Sequence, residues 1–322
     1  MDTLAAVGTD MTRTATVVRA YELGAPEVLQ LETVELPEPG PGEVTIETRA
    51  IGVNPIDLKM RAGFAYADAA ELPFSPGNEV SGVVVEVGEG VEGIAVGDAV
   101  IAFRISGGYG TAVTVPASDV FAKPATLSWE EASALLLVGV TAEHALTKVG
   151  VGAGDRILVH GASGSVGQIL IQLALLRGAT VVGTASPRNH DLLHKLGATP
   201  IAYGEGLAER ATAAGPYDAA IDLVGTEEAF DVSLALVADR SRITTIIGGP
   251  HAIKAGIQKI GGGPGSELGL ELRAAARQPL IDLAAAGTIE VPVVRTFPLT
   301  EAVAAHHFVA EGHAAGKVVL LP

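Results

Sequence analysis

The chain has 322 residues, 48% of them apolar, no cysteine and a formal net charge of −16. Its length exceeds a usual single core, so two domains are expected, each burying its own core without disulfides. The missing thiols exclude disulfides, cysteine-ligated zinc, iron–sulfur clusters and a cysteine nucleophile, and the acidic balance with 21 scattered Lys and Arg opposes a nucleic-acid partner.

The opening stretch MDTLAAVGTDMTR lacks the basic start and apolar centre of a secretory signal, and no run reaches the roughly 20 apolar residues of a membrane helix. A cytoplasmic protein without a membrane partner is expected. From Ala15 to about Pro124, short β-rich runs such as TATVVRA, EVTIETRAIGV and VSGVVVEVG are cut by Gly and Pro, the pattern of a small irregular β domain. Near Ser128 the pattern changes. Ser128, Glu130 and Glu131 precede apolar residues at helical spacing, which predicts a capped helix.

Beyond it come RILVH, a helix from about Ser165 to Arg177 stopped by Gly178, TVVGT, the helix NHDLLHKLGA, PIAY, YDAAIDLVG and RITTIIG. Apolar strands alternating with helices predict a parallel sheet covered on both faces. A glycine-rich stretch, Gly261 to Gly269, interrupts this order before a long helix through Ala286, a strand near VPVVRTF, a helix from Thr300 and a last strand, KVVLL. The closing strands are candidates to return to the first domain.

In HGASGSVGQ, His160 to Gln168, a strand end meets a helix start. A dinucleotide turn asks for G-x-G-x-x-G, for a sharp turn, a close approach of the pyrophosphate and a tight helix–strand contact. Ala162, Gly164 and Gly167 take those places with Gly161 just before, so the literal motif lacks its first glycine. A plain strand-to-helix turn also uses glycine. The apolar strand before it, the helix after it and the following βαβ order favour a pyrophosphate on the helix N-terminus. About 20 residues on, where NAD-specific folds carry an acid, the chain reads GTASPRNH, with the Ser186 hydroxyl and an Arg188 guanidinium suited to a phosphate. NADPH is expected ahead of NADH; the competing reading makes Arg188 a solvated arginine at a helix start.

GVNPID (52–57), PGNEVSGVVVEVG (76–88), GGYGTAVTVP (107–116), LVGVTAEHAL (137–146), GASGSVGQ and the closing GKVVLLP occur in order along the chain. From about Thr14 to Pro322 the set resembles the zinc-independent quinone oxidoreductase (zeta-crystallin-like) branch of the medium-chain dehydrogenase/reductases. The resemblance implies an α/β fold with a GroES-like β-rich catalytic domain from both chain ends (1–135 and 276–322) and a doubly wound Rossmann domain between them (136–275).

By position, the resemblance puts Asn54 beside the nicotinamide and substrate, and Thr141 on the opposite side of the cleft. Gly161, Ser163, Gly164, Ser165, Val166 and Gly167 would meet the pyrophosphate. Ser186, Arg188 and Tyr203 would surround the adenosine 2′-phosphate, and Val224, Gly225, Ile247 and Gly248 would lie along the strand ends under the cofactor. Lys59 and Tyr66 are candidate proton or hydrogen-bond donors, although tyrosine is frequent in the branch where Lys59 stands. The metal-binding GHE triplet of zinc relatives is Gly77-Asn78-Glu79 here, so no metal site is expected. Relatives imply a homodimer.

Other candidates have plainer readings. Asp57 reads as a helix cap, His190 and His194 as a solvated pair, and His306, His307 and His313 as surface histidines without a recognisable carboxylate partner. The glycine-rich stretch reads equally as a lid or an excursion. A serine nucleophile elbow needs G-x-S-x-G, and ASGSV lacks its first glycine. With no metal set to stabilise an alkoxide, hydride transfer from NADPH to a quinone or α,β-unsaturated carbonyl is the expected reaction, because conjugation spreads the charge. The alternatives are an enoyl-thioester reductase and an NADPH-binding, crystallin-like protein with little turnover.

Overall fold

The computed structural model describes residues 13–64, 72–262, 265–312 and 314–322. Alternating apolar and polar residues give the first third its strands: β1 (Thr14–Ala20), β2 (Leu29–Glu35), β3 (Glu43–Val53), β4 (Glu79–Val87), β5 (Ala99–Phe103), β6 (Ala112–Pro116) and β7 (Val120–Ala122). In β3, Val44, Ile46 and Ala50 are buried while Glu47 and Arg49 face solvent, the two-residue period of a sheet with one covered face. One short helix, α1 (Pro55–Arg61), follows β3. Pro55 at its first position presets the backbone, and the Asn54 N–H donates to the Asp57 carboxylate at its third.

Ser128 caps α2 (Trp129–Lys148) reciprocally. Its hydroxyl accepts from the Glu131 N–H at 3.1 Å, and the Glu131 carboxylate accepts from the Ser128 N–H at 2.8 Å. The chain then alternates β8 (Arg156–His160), α3 (Ser165–Leu176), β9 (Thr180–Ala185), α4 (His190–Lys195), β10 (Thr199–Ala202) and α5 (Leu207–Ala214). It continues with β11 (Ala219–Asp222), α6 (Glu227–Leu236), β12 (Ile243–Thr245), α7 (Pro250–Lys254) and β13 (Gln258–Lys259). Strands β8 to β13 pair in parallel in the order β10-β9-β8-β11-β12-β13, the doubly wound Rossmann order. Its switch point lies between β8 and β11, and the crevice for a ligand opens at their carboxyl ends.

The chain closes with α8 (Leu270–Ala285), β14 (Val293–Pro298), α9 (Ala302–Ala310) and β15 (Lys317–Leu321). β15 pairs antiparallel with β3 and parallel with β14, so the chain end completes the first sheet, a GroES-like domain. Helix α2 runs unbroken through residue 135 and α8 through 276, where the sequence reading divides the domains.

Apolar residues lie all round α2, as a helix packed on every side requires. It meets β3 and β4 on one side and α3 and α8 on the other. One core therefore runs from Ile101 and Phe103 of the first sheet through Leu135 and Leu136 to Ile157 of the second and Ile169 of α3. Gly52 permits the closest approach: a Cβ there would stand 2.2 Å from the Ser133 carbonyl oxygen of α2 and 2.6 Å from Glu79 Oε1.

Candidate active site

The glycine turn works one residue earlier than its motif. Gly161, at φ 76°, makes the left-handed bend, so Ala162 needs no glycine backbone. The Ala162 methyl fits because Gly183 faces it; a Cβ on Gly183 would lie 2.6 Å away. Gly167 lets α3 approach β8: its Cβ would lie 2.5 Å from the Ala162 carbonyl oxygen. Gly164 caps α3 in an extended conformation, leaving first-turn N–H groups without partners in the helix. These donors and the missing Cβ atoms fit a diphosphate.

The turn forms one wall of a cleft of about 480 Å³, where Gly161, Ser163, Gly164 and Ser165 line it. Asn189 Nδ2 donates to Ser163 Oγ at 3.2 Å, orienting that hydroxyl. Ser186, Arg188 and Tyr203 line one end, the latter two exposed, beside Glu228, whose carboxylate accepts from the Gly204 N–H at 3.1 Å. Val224 lines the middle. Val53 of β3, Pro55 of α1 and Ala315, Gly316 and Lys317 from the returning chain supply the facing wall.

Thr141, Val166, Gly167, Gly225, Ile247 and Gly248 do not line this cleft. Thr141 donates to the Leu137 carbonyl inside α2, and Val166 packs on the core. A Gly225 Cβ would lie 2.6 Å from Ile247 Cγ2, so that pair packs together, while Gly248 lies under the Lys259 stem. Asp222, which the sequence did not single out, shapes this loop: its carboxylate accepts from the Val224 and Gly225 N–H groups and the Thr245 hydroxyl.

Behind the facing wall is a buried polar junction. Lys317 Nζ donates to Glu79 Oε1 at 2.7 Å, to Asn54 Oδ1 and to the Val53 carbonyl, and neither charged side chain is more than 2% exposed. Asn54 Nδ2 donates to Glu79 Oε1 at 3.1 Å and to the Gly52 carbonyl. The second Glu79 oxygen accepts from the Leu137 N–H of α2 at 3.0 Å. The Asn54 amide is thus engaged inside the junction, and the residues on either side of it border the cleft.

Asp57 caps α1 and is fully buried. It accepts from the Asn54 N–H at 2.9 Å and Asn78 Nδ2 at 2.7 Å, with Tyr109 Oη at 3.4 Å; burial pushes its carboxyl up to about 6. Asn78, at the histidine position of the GHE triplet, is committed to this carboxylate. Tyr109 Oη also stands 3.1 Å from His306 Nε2.

Here two histidine readings are corrected. His306 is buried, because it shares the inner face of α9 with Ala302 and Ala305, and burial lowers its pKa to about 3. His307 is exposed as expected but has an acid partner, Glu27, at 2.7 Å and 280 positions away. His190 is half-buried and His194 exposed. Lys59 is exposed on α1. Tyr66, His313 and residues 263–264 of the glycine-rich stretch lie outside the described residues.

Two glutamines, also not singled out, clip the glycine turn to the returning chain. Gln168 Nε2 donates to the Ser163 and Ala315 carbonyls at 2.9 and 2.8 Å. One turn on, the Gln172 amide exchanges two hydrogen bonds with the Glu290 backbone. Two polar residues four apart on the otherwise apolar SVGQILIQLALL are a signal that could have located this face.

Among the described residues, no group of three His, Asp or Glu side chains could hold a metal, and no helix is long and apolar enough to cross a membrane.

A GroES-like domain completed by its own chain end, joined to a Rossmann domain with a glycine turn at the shared cleft, defines a two-domain dehydrogenase/reductase. Residues 40–125 match the family model for the alcohol dehydrogenase GroES-like domain, and residues 196–320 that for zinc-binding dehydrogenase. The chloroplastic quinone-oxidoreductase QR1 of Triphysaria versicolor is 31% identical over 318 residues, covering 94% of this chain and 96% of that protein. The chain belongs to the quinone oxidoreductase branch of the medium-chain dehydrogenase/reductase superfamily.

The synaptic vesicle membrane protein VAT-1 homolog of Rattus norvegicus is 43% identical over 178 residues. That match takes in 54% of this chain and only 44% of that relative's length. The structure of Escherichia coli quinone oxidoreductase complexed with NADPH superposes with a TM-score of 0.84 at 28% identity, over 95% of this chain and 100% of that one.

Of the three buried histidines among the described residues, His144, His160 and His306, the last two set an acid limit on stability. Burial lowers His306 to about 3 and His160 to about 4 from the usual 6.5, so the unfolded chain binds more protons below pH 6.5. Their contribution is complete above about pH 6.5 and is lost as the pH falls through the folded values. Asp57, raised to about 6 from 3.8, acts oppositely, withdrawing stability as the pH rises between those values. Urea denaturation from pH 6.5 to 4 should show a shallower pH slope for His306→Gln than for the wild type. A difference between the two proteins that is constant across that range would contradict the assignment.

Proposed function

We propose that this chain is an NADPH-dependent oxidoreductase that reduces a quinone or an α,β-unsaturated carbonyl without metal or flavin, acting as a cytoplasmic homodimer. The observation that carries the reading is the cleft itself: a diphosphate-fitting turn, a serine and an exposed arginine at one end, and the GroES-like wall opposite. The NADPH in the E. coli structure and the quinone oxidoreductase name of QR1 support it.

In this reading the first turn of α3 binds the pyrophosphate, with Gly161, Gly164 and Gly167 keeping the backbone bare and Ser163 held ready by Asn189. Ser186, Arg188 and Tyr203 receive the adenosine 2′-phosphate. Val224 supports the middle of the cofactor, and the Gly225–Ile247 contact and Gly248 support that wall from behind. When bound, NADPH supplies a hydride from its nicotinamide. Asn54 is a positioning residue: its amide, fixed by Lys317 and Glu79, holds Val53 and Pro55 along the cleft. Thr141 fixes the course of α2 beside them.

The chemistry asked of the chain is modest, since a conjugated acceptor spreads the incoming charge and takes its proton from solvent. An isolated carbonyl would build an alkoxide, and the nearest buried cation, Lys317, already has three acceptors for its three protons.

NADPH should bind well ahead of NADH, and Arg188→Ala should narrow that gap by about tenfold to a hundredfold, the scale of one charge-assisted contact. Titration of nicotinamide fluorescence checks this; equal wild-type affinities for the two cofactors would remove the 2′-phosphate assignment. Under anaerobic conditions with NADPH, an enone should be reduced at least about a hundredfold more efficiently than its saturated ketone. Mass spectrometry of the products decides, and preferential conversion of the ketone to an alcohol would overturn the conjugated-acceptor reading.

A further inference from the structure

The adenosine end of the cleft carries a carboxylate that a 2′-phosphate does not call for. Ser186 and Arg188 offer a hydroxyl and a cation there, as a phosphate asks, yet Glu228 lines the same end. Glu228 stands in the first turn of α6, and its Oε2 accepts from the Gly204 N–H at 3.1 Å. Gly204 follows β10 and α6 follows β11, with β9 and β8 between those two strands, so this bond joins two loops across the carboxyl ends of β9 and β8. The loop it reaches is itself fixed. Gly204 turns at φ 81°, and Arg210 of α5 donates to its carbonyl at 3.0 Å and to the Ala202 carbonyl at 2.9 Å. One carboxylate oxygen of Glu228 is thus committed to the loop, and among the described residues the other has no hydrogen-bond donor. Glu228 and Arg188 border the same end without forming an ion pair, so the two charges are held apart.

A carboxylate only accepts hydrogen bonds. The adenosine half of NADPH offers it two donors, the ribose 3′-hydroxyl and the adenine 6-amino group. The 3′-hydroxyl sits on the carbon next to the 2′-phosphate, where a carboxylate would meet the phosphate charge at close range. The amino group lies at the edge of the base remote from the ribose. It is the donor that a carboxylate reaches without facing the phosphate.

We propose that Glu228 is a specificity-determining residue for the base of the cofactor: its Oε1 accepts from the adenine 6-amino group while its Oε2 keeps the Gly204 loop across the end of the cleft. This inference rests on the NADPH reading above and extends it from the 2′-phosphate to the base. The site then separates a 6-amino purine from a 6-oxo purine, whose oxygen would face the carboxylate with no hydrogen between them.

The test compares the binding of NADPH with that of reduced nicotinamide hypoxanthine dinucleotide phosphate, which carries the 6-oxo base, to the full chain. Nicotinamide fluorescence is read for the wild type, Glu228→Gln and Glu228→Ala, with no acceptor present, so the result does not depend on which carbonyl is reduced. The wild type should favour NADPH by about tenfold, the scale of one hydrogen bond to a charged group. In Glu228→Gln the amide carbonyl takes over the Gly204 N–H and the Nε2 hydrogens face the base, so the preference should reverse toward the 6-oxo base. Glu228→Ala should leave the two dinucleotides within about twofold of each other. A role confined to the Gly204 loop, or a contact with the 3′-hydroxyl, would weaken both dinucleotides alike; a ratio that stays the same in all three proteins therefore overturns the proposal. Equal binding of the two by the wild type overturns the base assignment alone and leaves the NADPH reading standing. Binding of neither by the wild type would instead remove the NADPH reading, and the base assignment with it.

Discussion

Everything that forms the cleft depends on one ion pair that water does not reach. Lys317 and Glu79 sit 2.7 Å apart where β3, β4, α2 and β15 converge, and each charge is otherwise fully used. Two charges can stay in such a place only if their hydrogen-bonding capacity is met, because desolvation costs several kcal/mol per ion. The chain meets it with groups from four segments: the Val53 carbonyl, the Asn54 amide, the Leu137 N–H and the pair itself. The bare Cα of Gly52 makes room for Glu79 against α2. Asn54 is fixed as a result, Pro55 and α1 follow from Asn54, and the GroES-like wall of the cleft follows from them.

The returning chain explains why that wall meets the glycine turn. β15 begins at Lys317, so the strand that closes the first sheet also carries the cation of the junction. Just before it, the Ala315 carbonyl accepts from Gln168, four residues beyond the Gly164 cap. The two clips differ in strength. Neutral amide hydrogen bonds contribute about 0.5–1.5 kcal/mol each, while removing one partner of a buried ion pair costs about 3–5 kcal/mol. The glutamine clip between the glycine turn and the returning chain is therefore the weaker of the two, and the Lys317–Glu79 junction inside the GroES-like wall the stronger.

Much of this was legible in the sequence. Alternation with Gly and Pro punctuation marked the β-rich third, the Ser128 box marked the start of α2, and the glycine spacing marked the strand-to-helix turn despite Ala162. That substitution looked like a defect because the compensating residue, Gly183, belongs to the neighbouring strand. His306 could have been found, since positions 302, 305 and 306 fall on one helical face. The Lys317–Glu79 pair could not. Its members are 238 positions apart, and nothing local distinguishes a buried lysine in GKVVLLP from the solvated kind that dominates protein surfaces. The resemblance brought Asn54 to the cleft, but only the three-dimensional arrangement shows its amide facing inward.

A double-mutant cycle on Lys317→Met and Glu79→Gln, read by urea denaturation, measures the junction directly. Each single replacement should cost about 3–5 kcal/mol by stranding its partner, and the double replacement should cost clearly less than the sum of the two. Strictly additive losses would mean that the two side chains do not depend on each other, and the cleft wall would then need another anchor.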